Sequence, residues 1–215
     1  MYNTEPTFKG KFDVIVVGGG IAGVSAAVSA ARRNLEVLLI EKSINLGGLA
    51  TSGLIAWDEP LCNGLGEQMV FGIAEELIKL CGKYSFDNLP EKWGGKTNNK
   101  NKNERYSTYF SPTVFSAALD KFVLSSGAKL RFDTLATYPV MQNNICKGVV
   151  VESANGREFF EAKFVIDATG DACVMDRAGV PTVLGENYMT YIAHWFEDFI
   201  KDAEDTAFNT KLKKV

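Results

Sequence analysis

Apolar and polar residues are arranged in blocks along the first forty positions. Phe12 to Val17 is a short apolar run closed by glycine, which predicts a buried strand. From Ile21 to Arg33 the apolar residues Ile21, Val24, Val28 and Ala31 return on one face, as in a helix. The alanines and Gly23 give that helix a thin side that can lie close to a sheet. Glu36 to Ile40 is a second β run, ending at Glu41. A strand, a helix and a strand at this spacing predict one right-handed βαβ unit. Residues 1–11 read as a polar lead-in.

The pattern then loosens. A loop rich in small residues runs from Ser43 to about Gly66, and Glu67 to Cys81 reads as an amphipathic helix. Residues 84–106 are polar and irregular, and the Lys/Asn run at 96–103 is of low complexity and reads as a solvated loop. Ser111 and Pro112 open another helix as N-cap and first residue; it runs to about Ser126 and Gly127 closes it. From Lys129 the pattern turns to β, with strands at about 129–132, 135–141, 146–152 and 158–166. Asn143-Asn144 and Asn155-Gly156 supply the turns. After Asp171, read as an N-cap, a short helix runs until Gly179-Val180-Pro181. Residues 187–204 read as helical. No internal repeat is present.

The eighteen residues from Val14 to Ala31 carry no charge, follow Lys9 and Lys11, and invite comparison with a signal peptide or a membrane span. Asp13 at the start of the run and three consecutive glycines in its middle argue against both. A strand, a glycine turn and a helix fit the same residues with no rule violated.

Composition narrows the classes. The chain has 215 residues, 46% of them hydrophobic and 23% charged, which is globular and enough for one generous domain. A net charge of −3 argues against a nucleic-acid partner. The four cysteines, at 62, 81, 146 and 173, form no Cys-x-x-Cys pair, so neither a zinc site nor a dithiol motif is supported. They read as reduced thiols of a cytoplasmic protein. His194 is the single histidine, which leaves little room for a Ser-His-Asp triad or a His-rich metal site.

Glycine carries the chemistry. Gly18-Gly19-Gly20-Ile21-Ala22-Gly23 satisfies G-x-G-x-x-G, directly after a strand and at the opening of a helix. Gly18 permits the tight turn, Gly20 has no side chain to block a pyrophosphate, and Gly23 lets helix and strand pack closely. The helix N-terminus offers unpaired N–H groups and a positive dipole end to phosphates. Glu41, 18 residues after Gly23, stands where a ribose would present its hydroxyls, and an acid there disfavours a 2′-phosphate. The bland reading is a plain βαβ turn with an exposed glutamate. Gly47 and Gly48 allow a long cofactor to lie along the backbone; an ordinary surface loop is the competing view. The tripeptide Ala168-Thr169-Gly170 at a strand end says little alone.

Taken in order, the stretch Asp13 to Gly23, Glu41-Lys42, the stretch Gly47 to Gly53 and Ile166 to Asp171 resemble the FAD-dependent oxidoreductases of the glutathione-reductase-like fold. Within them the chain is most similar to the group distantly related to fumarate reductase flavoproteins. The resemblance implies an α/β fold: a Rossmann-like parallel sheet with helices and an added antiparallel three-stranded β layer. It implies non-covalent FAD, with Gly18, Gly20 and Gly23 facing the pyrophosphate, Glu41 the adenosine ribose, and Ile21, Ala22 and Lys42 as further cofactor-binding residues. Gly47 and Gly48 would let the chain pass the ribityl and pyrophosphate region, Thr51 to Gly53, Ser52 among them, would approach the flavin, and Leu49 is a further cofactor-binding residue. The strand near Ala136 would touch adenine by its backbone, Thr169 and Gly170 would close over the cofactor, and Ala168 and Asp171 are further cofactor-binding residues.

The implied organisation is an FAD-binding domain over residues 1–181 and the start of an incomplete substrate domain over 182–215. The implied activity is hydride transfer between a small-molecule substrate and flavin, with an electron acceptor as second partner. Cys62, in the small-residue loop, is a candidate redox thiol, although a packed small apolar residue is the favoured reading. Two rivals stay open: a flavin-binding module or subunit without its own catalysis, and a nicotinamide-dependent dehydrogenase.

Overall fold

The computed structural model describes residues 5–57, 63, 68–83 and 109–185. Strand β1 (Thr7–Val17) leads through the glycine turn into helix α1 (Ile21–Ala31) and strand β2 (Val37–Ile40). A single 3-10 turn (Gly48–Ala50) and helices α2 (Ile73–Lys83) and α3 (Pro112–Ser125) follow. The chain then makes β3 (Lys129–Arg131), β4 (Thr134–Gln142), β5 (Ile145–Ser153) and β6 (Gly156–Asp167), and ends its described part with α4 (Cys173–Arg177). The polar stretch 84–106, the helix read over 187–204, Cys62 and His194 lie outside the described residues.

All six strands join one sheet in the order β3-β2-β1-β6-β5-β4. The β1 strand pairs in parallel with β2 and β6, and β2 with β3. The β4-β5-β6 meander is antiparallel. The parallel sheet and the three-stranded layer are therefore continuous, with β6 belonging to both.

The connection from β3 to β4 dictates the shape. These strands lie at opposite edges of the sheet, yet only Phe132 and Asp133 separate them. Two residues span at most about 11 Å, whereas the outer strands of a flat six-stranded sheet stand about 24 Å apart. The sheet must roll until its edges meet. The meander accordingly covers one face of the parallel strands: Ile15, Val17, Leu38 and Ile40 pack with Ala136, Val149, Val151 and Phe160. The alternate residues Val14, Val16, Val37 and Leu39 pack against Val24, Val28, Leu77, Phe115 and Leu119 of the helices. Both faces of β2 are thus covered, and all four of its residues are buried.

The rolled edge is tied by charge. The Glu158 carboxylate is 1% exposed and pairs with Arg131 on β3 and with Lys9 on β1 at 3.3 Å. This explains why β1 begins at Thr7 rather than Phe12. Its first residues hydrogen-bond along β6, from Thr7 opposite Glu158 to Lys11 opposite Glu161, while their polar side chains face solvent or ion partners. Strand pairing uses the backbone, so polarity hid it.

Other boundaries also shift. Helix α2 starts six residues later than periodicity suggests, after Gly72 at φ 71°, with Met69, Val70 and Phe71 exposed before it. Ser111 occupies the N-cap of α3, but its hydroxyl makes no capping bond. The Asn143-Asn144 turn has positive φ at both residues, the primed hairpin geometry.

Asp171 does not cap α4; Ala172 stands at that position. The capping falls to Asp167 at the end of β6. Its Oδ2 accepts from the Val174 and Met175 N–H groups at 2.8 Å, and its Oδ1 accepts from the Thr169 N–H at 3.0 Å and hydroxyl at 2.7 Å. Burial pushes the Asp167 carboxyl up, but these four bonds outweigh it and hold it below the usual carboxylate value.

A carboxyl with a depressed folded-state pKa contributes stability above its unfolded value, and this contribution is lost as pH falls through the folded value. Asp167→Asn leaves two inward N–H donors facing an amide and should cost about 2 kcal/mol at pH 7. Urea unfolding at pH 7 and below about pH 4 should show the wild type losing stability in acid and the variant losing less.

Candidate functional site

The site grows from the end of β1. Gly18, at φ 101°, turns the chain so tightly that a Cβ there would stand 2.3 Å from the Ala168 carbonyl oxygen. One turn into α1, a Cβ on Gly23 would stand 1.8 Å from the Gly18 carbonyl oxygen. The helix therefore sits directly on the strand end, and its first N–H groups, which have no intrahelical partner, lie at the sheet's C-terminal edge. Gly20 is the N-cap of α1, and a Cβ there would meet nothing within 4 Å.

A second glycine pair faces the first. Gly47 forms a parallel bridge with Gly20, and its N–H donates to the Gly19 carbonyl at 2.8 Å. Two further groups brace this arrangement. The Glu41 carboxylate accepts from the Gly19 N–H through Oε2 and from the Ser43 N–H at 2.8 Å through Oε1. The Thr51 hydroxyl, buried, donates to the Leu46 carbonyl.

A cavity of about 1160 Å³ opens over the turn. Of the residues singled out in the sequence, Gly18, Gly20, Ile21, Ala22, Glu41, Lys42, Gly47, Gly48, Leu49 and Ser52 border it, as do Ala136, Ala168, Thr169, Gly170 and Asp171. Gly23 and Thr51 do not. Gly23 is buried against Gly18, and Thr51 turns inward to hold its own loop. Cys62 lies outside the described residues.

The cavity lining is of two chemical kinds. At one end Glu41 and Lys42 meet the start of β4, whose Thr134 N–H donates to the Glu41 carbonyl at 3.1 Å. Cys173 and Arg177 of α4 complete that end. At the other end Leu49, Ile55, Trp57, Leu77 and Phe110 make an apolar wall. Trp57 and Tyr109 form an isolated antiparallel bridge, and the Phe110 N–H donates to the Ala56 carbonyl at 3.0 Å.

Of these wall residues only Leu49 was singled out in the sequence as a site residue. Trp57 and Phe110 sit in segments without periodicity, and only the fold shows that they meet. Arg177, six residues beyond Asp171, was likewise not among the expected site residues. Among the described residues no group of three or more His, Cys, Asp or Glu could hold a metal ion. None of the helices in that part is long and apolar enough to cross a membrane.

Known proteins share this architecture. A digeranylgeranylglycerophospholipid reductase of Methanocella arvoryzae is 30% identical over 189 residues, which cover 82% of this chain and 44% of that protein. The chain thus spans under half the length of this curated relative. A geranylgeranyl bacteriochlorophyll reductase-like protein of Thermoplasma acidophilum superposes with a TM-score of 0.58 at 20% identity, over 83% of this chain and 44% of that one. The THI4 protein of Thermovibrio ammonificans superposes with a TM-score of 0.53 at 19% identity, over 78% of this chain and 61% of that one. The family model for FAD dependent oxidoreductases matches residues 13–193, and with the glycine turn, the second glycine pair and the rolled sheet all in place, the chain belongs to that family.

Proposed function

We propose that this chain holds FAD non-covalently across the glycine turn and forms the flavin-binding part of an oxidoreductase acting on a small molecule. The observation that carries this reading is the bridge between Gly20 and Gly47, which puts two side-chain-free stretches of backbone side by side at the cavity. The residues fit FAD on their own geometry. Open space beside Gly20 and the N–H groups opening α1 suit a pyrophosphate. The carboxylate of Glu41 keeps acceptor capacity beyond its two backbone bonds for ribose hydroxyls. The apolar wall of Leu49, Ile55 and Trp57 suits a flat ring system.

Bound FAD supplies two-electron chemistry, exchanging a hydride with substrate. The chain's own part is to bind, orient and exclude water. Gly47, Gly48 and Ser52 would guide the cofactor between the two ends, Ala168 to Asp171 would border it from the end of β6, and Lys42 would offset phosphate charge. The rival reading, a flavin-binding module that contributes no catalysis of its own, predicts the same FAD binding without reduction by any donor.

Reconstituting the purified chain with FAD should give a retained flavin spectrum after gel filtration and a raised melting temperature. Binding of NADH without FAD would replace this reading with the nicotinamide one.

The two glycines separate binding from folding. Gly20→Val should change the stability of the FAD-free chain by less than about 1 kcal/mol, because its side chain enters open space. It should still weaken FAD binding more than about 100-fold. Gly23→Ala should cost about 3 kcal/mol, because its methyl meets backbone. Urea unfolding and FAD titration of both variants check the contrast.

A further inference from the structure

Arg177 is a cation at the cavity rim that, among the described residues, makes no ion pair. Its Nη1 instead donates to two consecutive carbonyls of β4, Ala136 at 3.2 Å and Thr137 at 2.9 Å. Its guanidinium stands 6.0 Å from the centre of the Tyr138 ring. The pairing of β4 with β5 slips between Ala136 and Tyr138, so Arg177 grips a β-bulge. A bulge breaks the ladder and re-aims the strand, and it persists where something fixes it. The Thr137 hydroxyl, donating to the Val150 carbonyl at 3.1 Å, holds it from the β5 side. Arg177 holds it from α4.

The bulge matters because of its neighbours. Thr134, Leu135 and Ala136 border the cavity, and Thr134 is hydrogen-bonded to Glu41. Helix α4 is in turn fixed to the end of β6 by the Asp167 carboxylate, beside Thr169 and Gly170. Arg177 therefore links one segment that borders the cavity to the strand that walls its polar end. A planar guanidinium suits this task, since it can address two carbonyls from one nitrogen without losing its charge.

We infer that Arg177 is a positioning residue for the nucleoside half of the cofactor: it holds the Ala136–Thr137 bulge in the geometry that receives adenosine. The inference rests on the reading that FAD lies with its adenosine at the Glu41 end. Through this bulge the chain selects dinucleotide over mononucleotide flavin, because only the adenosine-bearing ligand reaches that wall.

The test measures affinities of the full chain for FAD, ADP and FMN in the wild type, Arg177→Met and Arg177→Lys. Arg177→Met should weaken FAD and ADP about tenfold and FMN less than about twofold. Arg177→Lys should recover part of the loss, since it restores charge without the fork. Melting of the ligand-free variants runs alongside. Should Arg177→Met not fold, the same comparison is made on Arg177→Lys, where a loss confined to FAD and ADP supports the inference. Equal weakening of all three ligands, or none, overturns it. A wild type that binds FMN but not ADP overturns the placement of adenosine, and this inference with it. A wild type that binds ADP, with a variant that binds it equally well, overturns the role of Arg177 alone.

Discussion

Helix α1 lies closer to the end of β1 than any side chain at Gly23 would allow. A helix can start directly on a strand end only if nothing projects between them, and the backbone oxygen of Gly18 stands where a Cβ of Gly23 would be. Everything at the site follows from that approach. It brings the helix dipole over the sheet edge, leaves Gly20 beside open space, and puts Gly47 within hydrogen-bonding distance of Gly19. The buried face of the helix, from Val24 to Ala31, secures the approach by packing against the parallel strands.

The rolled sheet supplies the second half of the site. A parallel sheet with helices on one face would leave Ile15, Val17, Leu38 and Ile40 uncovered. The meander covers them, and the short link through Asp133 brings the start of β4 beside Glu41. One sheet thereby provides both the floor and one end wall of the cavity. Glu158, Arg131 and Lys9 bind the roll across β6, β3 and β1. A buried carboxylate with two cationic partners is weak evidence of net stability, but losing either partner leaves a charge uncompensated.

Sequence and structure agree best where a residue's type is forced by its backbone. The glycine turn, the βαβ unit and the Asn143-Asn144 and Asn155-Gly156 hairpins were readable for that reason. Fifteen of the 31 residues bordering the cavity were also singled out, the glycines and Glu41 by spacings with a mechanical meaning and the others by resemblance. What could not be read depends on tertiary neighbours. The onset of β1 at Thr7 needs β6; the capping of α4 needs Asp167 rather than the nearer Asp171; the grip of Arg177 needs a bulge 40 residues away in sequence. The apolar end formed by Trp57 and Phe110 has no periodic signal, since both lie in loops that meet only through an isolated bridge.

The topology also orders events during synthesis. The strand β1 leaves the ribosome before β6, one of its two partners, which is the last strand of the described sheet. Until Phe164 to Asp167 are made, β1 presents a bare hydrogen-bonding edge. Glycine 18 likewise waits for Ala168. The glycine turn can form locally with α1 and β2, but the pocket around it is completed only when chain more than a hundred residues later returns to the same strand. Such long-range pairing folds slowly, and the lysines at 9 and 11 set charge on the edge that must stay unpaired in the meantime.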